Sequence, residues 1–218
     1  MKWIMKSEMF TPPQKLELPK KHHSLADWDF LAGLIYALDN AVYVSSPSSL
    51  RITVPSASGL RVGCLNKDSS CVNLPQGRIE TQLRSTSIGN ARPAIIFRNQ
   101  GGVGSIDNDN TYFVTVAGTT ANATKRVAGG ITGLGSWSRS YADNTWYQER
   151  ITWWNEPPAL ILRYEYWDGS AWVIVTPDIT DSAPSFEGST TNRCGLGDNR
   201  TGGQYYNYFD DTMIYGPA

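Results

Sequence analysis

Two neighbouring runs carry the side chains best suited to holding a ligand: "WYQERITWW", residues 146–154, and "ALILRYEYW", residues 159–167. In an extended strand successive side chains point to opposite faces. Alternation sets Tyr147, Glu149, Ile151 and Trp153 on one side of the first run, and Leu160, Leu162, Tyr164 and Tyr166 on one side of the second. The Leu/Tyr side reads as core. The other sides, Arg150, Thr152 and Trp154 with Arg163, Glu165 and Trp167, read as solvent-facing. Such a surface could bind a sugar: the C–H faces of a pyranose stack on indole, and Arg, Glu and Thr take its hydroxyls. These six residues are the glycan-binding candidates. Arg163 and Glu165 are also placed to pair with cross-strand neighbours. The aromatics admit a plainer reading, in which Trp153, Tyr164, Tyr166 and Trp172 are core and Trp154 and Trp167 cover sheet edges. Aromatics are common in strands.

Other chemistry is sparse. Cys64, Cys71 and Cys194 match no zinc pattern, because both histidines are adjacent, at His22 and His23. Cys64 and Cys71 flank the turn-rich "LNKDSS", so they read either as a hairpin disulfide or as reduced thiols. Asp107, Asn108 and Asp109 offer oxygen ligands for calcium, but EF-hand spacing is missing and turn chemistry is the better account of them.

These candidates need strands to position them. The chain has 218 residues, 18% of them charged, with 20 glycines and 11% aromatics, which suits one sizeable all-β domain with many turns. A net charge of −1 creates no field favouring nucleic acid or an anionic membrane. No apolar run approaches the roughly 20 residues of a membrane span. Residues 1–24 stand apart: five lysines and two glutamates give +3, leaving −4 for the remainder, and Pro12, Pro13 and Pro19 break regular structure. This segment reads as an extended basic arm, without the continuous apolar core of a signal peptide. Its Trp3, Ile4 and Phe10 would need burial against the domain or against a neighbouring subunit.

Residues 24–39 admit a helix, with Leu25, Trp28, Ile35 and Leu38 on one face and Ser24 and Asp27 as a capping box, or an irregular lead-in to a first strand. From residue 40, strand runs alternate with turns: "AVYVSS", "SLRITVP", "RIETQLRS", "PAIIFRNQ", "TYFVTVAG", "KRVAGG", the two runs above, "AWVIVTP", "NRCGLGDN" and "YFDDTMIYG". Asp168-Gly169 marks a hairpin. The longer "GSTTNRCGLGDNRTGGQ" is poor in apolar residues and reads mainly as loops at one rim. The expected fold is all-β, a two-sheet antiparallel jelly-roll sandwich over 25–218 preceded by the arm.

"SSPSSLRI", "PAIIFRNQ…NTYFVTV", "WYQERITWW…LRYEYWDG" and "YFDDTMIYG", spread over roughly residues 40–218, resemble the concanavalin A-like lectin/glucanase superfold in its laminin G-like form. The resemblance implies two curved antiparallel sheets, often with a concave face that binds glycans. Its glucanase branch uses Glu-x-Asp-x-x-Glu, which is absent here. Glu165 and Asp168, three apart, face opposite sides of a regular strand. Its alginate-lyase branch uses an Arg-rich strand, a Gln-x-His strand and a late Tyr. "RIETQLR", with Arg78, Glu80 and Arg84, partly echoes the first, and the Gln-x-His element is missing. Asp210 and Asp211 match the family's Asp pair, which in some relatives helps hold a structural calcium, with Asp39 the nearest further ligand. Alternation turns one of the two aspartates inward, and a buried carboxylate needs a cation or several donors.

The expectation is a non-catalytic protein that requires no cofactor, with a structural calcium the single addition the resemblance admits. The first functional reading is a structural or adhesion component of a larger assembly, on a virion or extracellular particle surface, made without a recognisable signal peptide. Its partners would be protein subunits held through the arm and a surface glycan, with no nucleic acid and no membrane insertion. The alternative is a carbohydrate-binding module of a polysaccharide-processing system.

Overall fold

The structure, a computed structural model, describes residues 28–30, 35–44, 49–54, 59–67, 73–101, 104–105, 110–186, 191–200 and 203–216. The strands in order are β1 (Trp28–Phe30), β2 (Ile35–Asp39), β3 (Ser49–Val54), β4 (Gly59–Asn66) and β5 (Gly77–Ser85). A single helical turn, α1 (Ile88–Ala91), precedes β6 (Pro93–Asn99), β7 (Gly104–Ser105), β8 (Thr111–Ala117), β9 (Thr120–Val127) and β10 (Gly130–Ser138). Then come β11 (Tyr147–Glu156), β12 (Ala159–Trp167), β13 (Trp172–Asp181), β14 (Arg193–Arg200) and β15 (Tyr205–Tyr215).

They form two antiparallel sheets. One is seven-stranded in the order β13-β12-β11-β5-β15-β3-β2; the other has eight strands, β1-β4-β14-β6-β8-β9-β10, with β7 beside β4. This is the expected jelly-roll sandwich.

The core lies between the sheets. Ile95, Phe97, Tyr112, Val114 and Trp137 of the eight-stranded sheet meet Ile79, Ile151, Trp153, Leu162 and Tyr164 of the other. Phe97 stacks on Trp153 at 4.9 Å and Trp137 on Tyr164 at 5.3 Å. Each such side chain contributes about 1.5–3 kcal/mol by leaving water. Gly77 sits directly opposite Trp153. A Cβ there would come within 2.4 Å of the indole, so the strand must carry glycine for the ring to lie across it. The sheets are also stapled across the core. Lys125 Nζ donates to both Asp181 oxygens, at 3.0 and 2.8 Å, and the Tyr112 hydroxyl donates to Oδ2 at 2.7 Å. Burial raises the Asp181 pKa, but the bonds from Lys125 and Tyr112 outweigh it and hold the carboxyl below its usual value.

Several local expectations are corrected. The helix over 24–39 is replaced by β1 and β2, which join opposite sheets: Trp28 pairs with Asn66, and Ile35–Asp39 with β3. Long-range pairing of β-favouring residues wins over a local 3.6-residue pattern. "AVYVSS" forms no strand at Ala41–Val44, where the chain bends. "KRVAGG" is the end of β9 and a turn; the strands there are all of β9 and β10. β4 is a further strand, and "NRCGLGDN" forms the strand expected there, β14, but lies centrally in its sheet instead of near a rim. Its glycines explain why so polar a run lies inside: a Cβ on Gly195 would meet the Cys64 carbonyl oxygen at 2.2 Å. Cys64 is a buried free thiol, so it is not bridged to Cys71, which lies outside the described residues.

Candidate functional site

The outer face of the seven-stranded sheet concentrates charge and aromatic surface. Register sets Glu80 of β5, Arg150 of β11 and Glu165 of β12 side by side. Arg150 grips Glu165 with both arms of its fork, Nε at 2.7 Å and Nη2 at 2.5 Å, while its Nη1 lies 3.6 Å from Glu80. The next row holds Tyr215, Arg78, Thr152 and Arg163. Arg78 donates to Thr152 Oγ1 at 3.3 Å and lies 3.6 Å from Glu80, whose Oε2 accepts from the Tyr215 hydroxyl at 3.1 Å. Bidentate pairing of this kind is strong and fixes geometry.

Half-buried rings border this network. The Arg150 guanidinium lies 4.3 Å from the Trp172 ring, and Trp172 meets Trp167 edge to face at 5.7 Å. Arg163 lies 5.1 Å from Trp154 and forms its own fork to Asp178, at 3.0 and 2.7 Å. Two shifts matter chemically. Burial, followed by the Glu80 charge, pushes the Tyr215 phenol up to about 12. Burial and the neighbouring Arg150 lower the Arg78 guanidinium from its ordinary value.

The structure brings all six glycan-binding candidates, Arg150, Thr152, Trp154, Arg163, Glu165 and Trp167, onto this one face. Thr152 and Glu165 are buried rather than open, each engaged by a guanidinium. Trp172 is not core: pairing with Trp167 puts it on the outer face. Sequence reasoning set aside Arg78, Glu80 and Arg84 and did not single out Tyr215. The period of two in "RIETQLR" was the available signal for the first three. For Tyr215 only the pairing of β15 with β5 reveals it.

The calcium candidates find other partners. Asp39 Oδ1 accepts the Ala41 and Val42 N–H groups at 2.9 Å each, and Arg51 lies 2.9 Å from Oδ2. Asp210 is buried, with Oδ2 accepting Val44 N–H at 2.7 Å and Oδ1 accepting Asp211 N–H at 2.8 Å. Several donors therefore meet the demand that a cation would otherwise meet, and a guanidinium beside Asp39 disfavours a second positive charge. This donor set does not fit calcium. Among the described residues, no three His, Cys, Asp or Glu side chains gather as a metal set. The arm residues Trp3, Ile4 and Phe10, and Asp107–Asp109, lie outside the described residues.

No protein-family model matches the chain, and no curated protein matches it by sequence. Solved structures do match. A carbohydrate binding module from Bacillus subtilis, CBM66, is 13% identical over 86% of this chain and 100% of its own, with a TM-score of 0.54. An endo-beta-1,4-glucuronan lyase from the fungus Trichoderma reesei is 11% identical over 88% of this chain and 92% of its own, with a TM-score of 0.57. The exoplasmic/lumenal domain of VIP36, in a form bound to Ca2+ and Man3GlcNAc, is 11% identical over 91% of this chain and 87% of its own, with a TM-score of 0.57. At such identities the likeness speaks for architecture alone: this chain shares with these structures a concanavalin A-like jelly-roll fold.

Proposed function

We propose that the chain binds carbohydrate on the outer face of its seven-stranded sheet. The observation that carries this reading is the ordered Glu80–Arg150–Glu165 row bordered by the rings of Trp154, Trp167 and Trp172. The rings offer stacking surface, and the pre-set polar groups offer directional bonds to hydroxyls at low ordering cost. That the matching solved structures include a carbohydrate binding module and a glycan-bound domain supports the reading.

Binding fits this face better than turnover. A general base needs a pKa near the working pH. Burial and Glu80 instead hold Tyr215 as the phenol, at about 12, and Glu80 and Glu165 are both engaged by guanidinia. The assembly reading has less behind it. It rested on residues 1–24, which lie outside the described residues, and no comparison speaks for a virion or another particle.

The test is titration of soluble oligosaccharides into the wild type and into Trp154→Ala and Trp167→Ala. Loss of about 1–3 kcal/mol per ring is expected, as for a hot-spot aromatic, with unfolding curves unchanged. Variants that bind like the wild type would leave the face merely structural. Cleavage products released from any glycan of the panel, and lost in Tyr215→Phe, would replace binding with catalysis.

A further inference from the structure

Away from the outer face, the two sheets meet along one side of the sandwich through their edge strands, β10 and β13. Trp137 Nε1 donates to the Pro177 carbonyl at 2.9 Å and ties the two edges together. Gly135 leaves room for Ile179 to reach across, since a Cβ there would meet Ile179 Cδ1 at 2.9 Å. Beside this tie a cleft of about 620 Å3 opens between the two strands. Small-molecule sites commonly span roughly 300–1,000 Å3. One wall is apolar. Val173 and Val175 form it, opposite Tyr166 and Tyr164 on the core side of β12. The other wall carries the hydroxyls of Ser136 and Ser138.

Arg139, directly after β10, also borders the cleft. Its guanidinium lies 3.8 Å from the Tyr166 ring, with Tyr147 and Tyr141 at 5.3 and 5.4 Å, so rings hold it in place. Among the described residues, the one carboxylate at ion-pair distance is Glu149, whose Oε1 lies 3.2 Å from Nη2 and accepts no hydrogen bond. The Arg139 side chain is 14% exposed and that of Glu149 is 0% exposed. A ligand in the cleft therefore reaches the guanidinium and not the carboxylate. Burial pushes Glu149 up to about 8, against the pull of Arg139 and Tyr164. The remaining groups around it are Tyr164 of β12, Tyr141, and the cross-strand partners Tyr166 and Thr81. Burial raises the Tyr164 and Tyr141 phenols above their ordinary value, so neither adds a charge near neutral pH. With Glu149 protonated, the Arg139 charge is left without a counter-ion beside an open cleft. A charge so placed, away from bulk water, attracts an anion.

We propose that this cleft is a ligand site for a small carboxylate on an apolar body, and that Arg139 receives the carboxylate when Glu149 is protonated. The apolar body lies against Val173 and Val175, and the hydroxyls of Ser136 and Ser138 donate to the carboxylate. Ionised Glu149 instead balances Arg139 and repels the ligand, so affinity falls as pH rises through the Glu149 transition. The site is independent of the carbohydrate reading, because Arg139 and Glu149 lie on the opposite side of the seven-stranded sheet from Arg150 and the tryptophans.

The experiment is titration of the 15N-labelled protein with benzoate, and with benzamide as its neutral match, followed by NMR at constant ionic strength. Benzoate stays ionised from pH 6 to 9, so any pH dependence belongs to the protein. At pH 6 benzoate should give saturable shifts at Ser136–Arg139 and Val173–Thr176, and benzamide should bind about tenfold more weakly or less. Raising the pH to 9 should weaken benzoate about fivefold. Glu149→Gln, which keeps an acceptor for Tyr164, should remove that dependence and bind at pH 9 as the wild type does at pH 6. Arg139→Leu should lose about tenfold or more at pH 6. If Arg139→Leu does not fold, the pH profile of Glu149→Gln decides alone. Equal binding of benzoate and benzamide, shifts that fall elsewhere, no saturable shift at pH 6, or a pH dependence that survives in Glu149→Gln overturns the inference.

Discussion

Glu149 and Arg150 are neighbours on β11, yet they face opposite sides of the sheet and solve the burial of charge differently. Outside, Glu165 receives two hydrogen bonds from one guanidinium fork and is almost covered. Inside, Glu149 is fully buried at the edge of the core, where the Tyr164 hydroxyl donates to its Oε2 and Tyr141 bonds to Tyr164 in turn. Its guanidinium, Arg139, lies 3.2 Å away from Oε1, which has no hydrogen-bond partner. Arg139 is boxed by rings, 3.8 Å from Tyr166 and 5.3 and 5.4 Å from Tyr147 and Tyr141. Burial pushes Glu149 up to about 8, with Arg139 and Tyr164 pulling the other way. Pairing geometry, rather than depth alone, decides how a carboxylate is accommodated. A fork meets the carboxylate with two aligned hydrogen bonds, whereas the single off-line contact at Glu149 leaves protonation as the escape.

The largest expected effect follows from that contrast. Arg150→Leu strips the fork from Glu165 and one partner from Glu80, leaving Glu165 buried with no guanidinium bonded to it. A loss of about 3–5 kcal/mol is expected in denaturant unfolding at pH 7, together with loss of glycan binding. Arg139→Leu should be milder at pH 6, about 1–3 kcal/mol, because Glu149 can take up a proton, and more damaging at pH 9. Equal losses for the two variants at pH 6 would break the comparison.

The pH dependence sharpens it. A carboxyl whose folded pKa is raised from 4.5 to about 8 binds more protons in the folded than in the unfolded state across that window. Stability contributed by Glu149 is therefore full below about 4.5 and declines as pH rises through about 8. Glu149→Gln should flatten this decline in melts recorded from pH 5 to 9. A slope that persists unchanged would mean that other groups carry it. Asp181, lowered by Lys125 and Tyr112, acts in the opposite direction and only in acid. Its contribution is present above the ordinary carboxylate range and is lost as pH falls through its depressed value. The smallest effect belongs to Arg163→Gln. Its fork to Asp178 is partly open to water, with side chains 36% and 28% exposed, so less than about 1 kcal/mol is expected.

Much of this molecule was determined by local pattern. The period-two runs of "RIETQLR", "WYQERITWW" and "ALILRYEYW" dictated strands and sorted their faces, because the pleat alone sends neighbours to opposite sides. That assigned the six outer-face candidates their common side, and it identified Ile151, Trp153, Leu162 and Tyr164 as core. What it could not supply was which strands lie together. That Glu80 meets Arg150, that Tyr215 reaches Glu80 and that Trp172 stands beside Trp167 depend on pairings across as many as 135 positions. The 24–39 segment failed for the same reason. A local helical pattern was outweighed by hydrogen bonds to two different sheets. The central place of β14 was obscured because its fitness for the sheet interior lies in what its glycines lack, a Cβ where the Cys64 carbonyl passes.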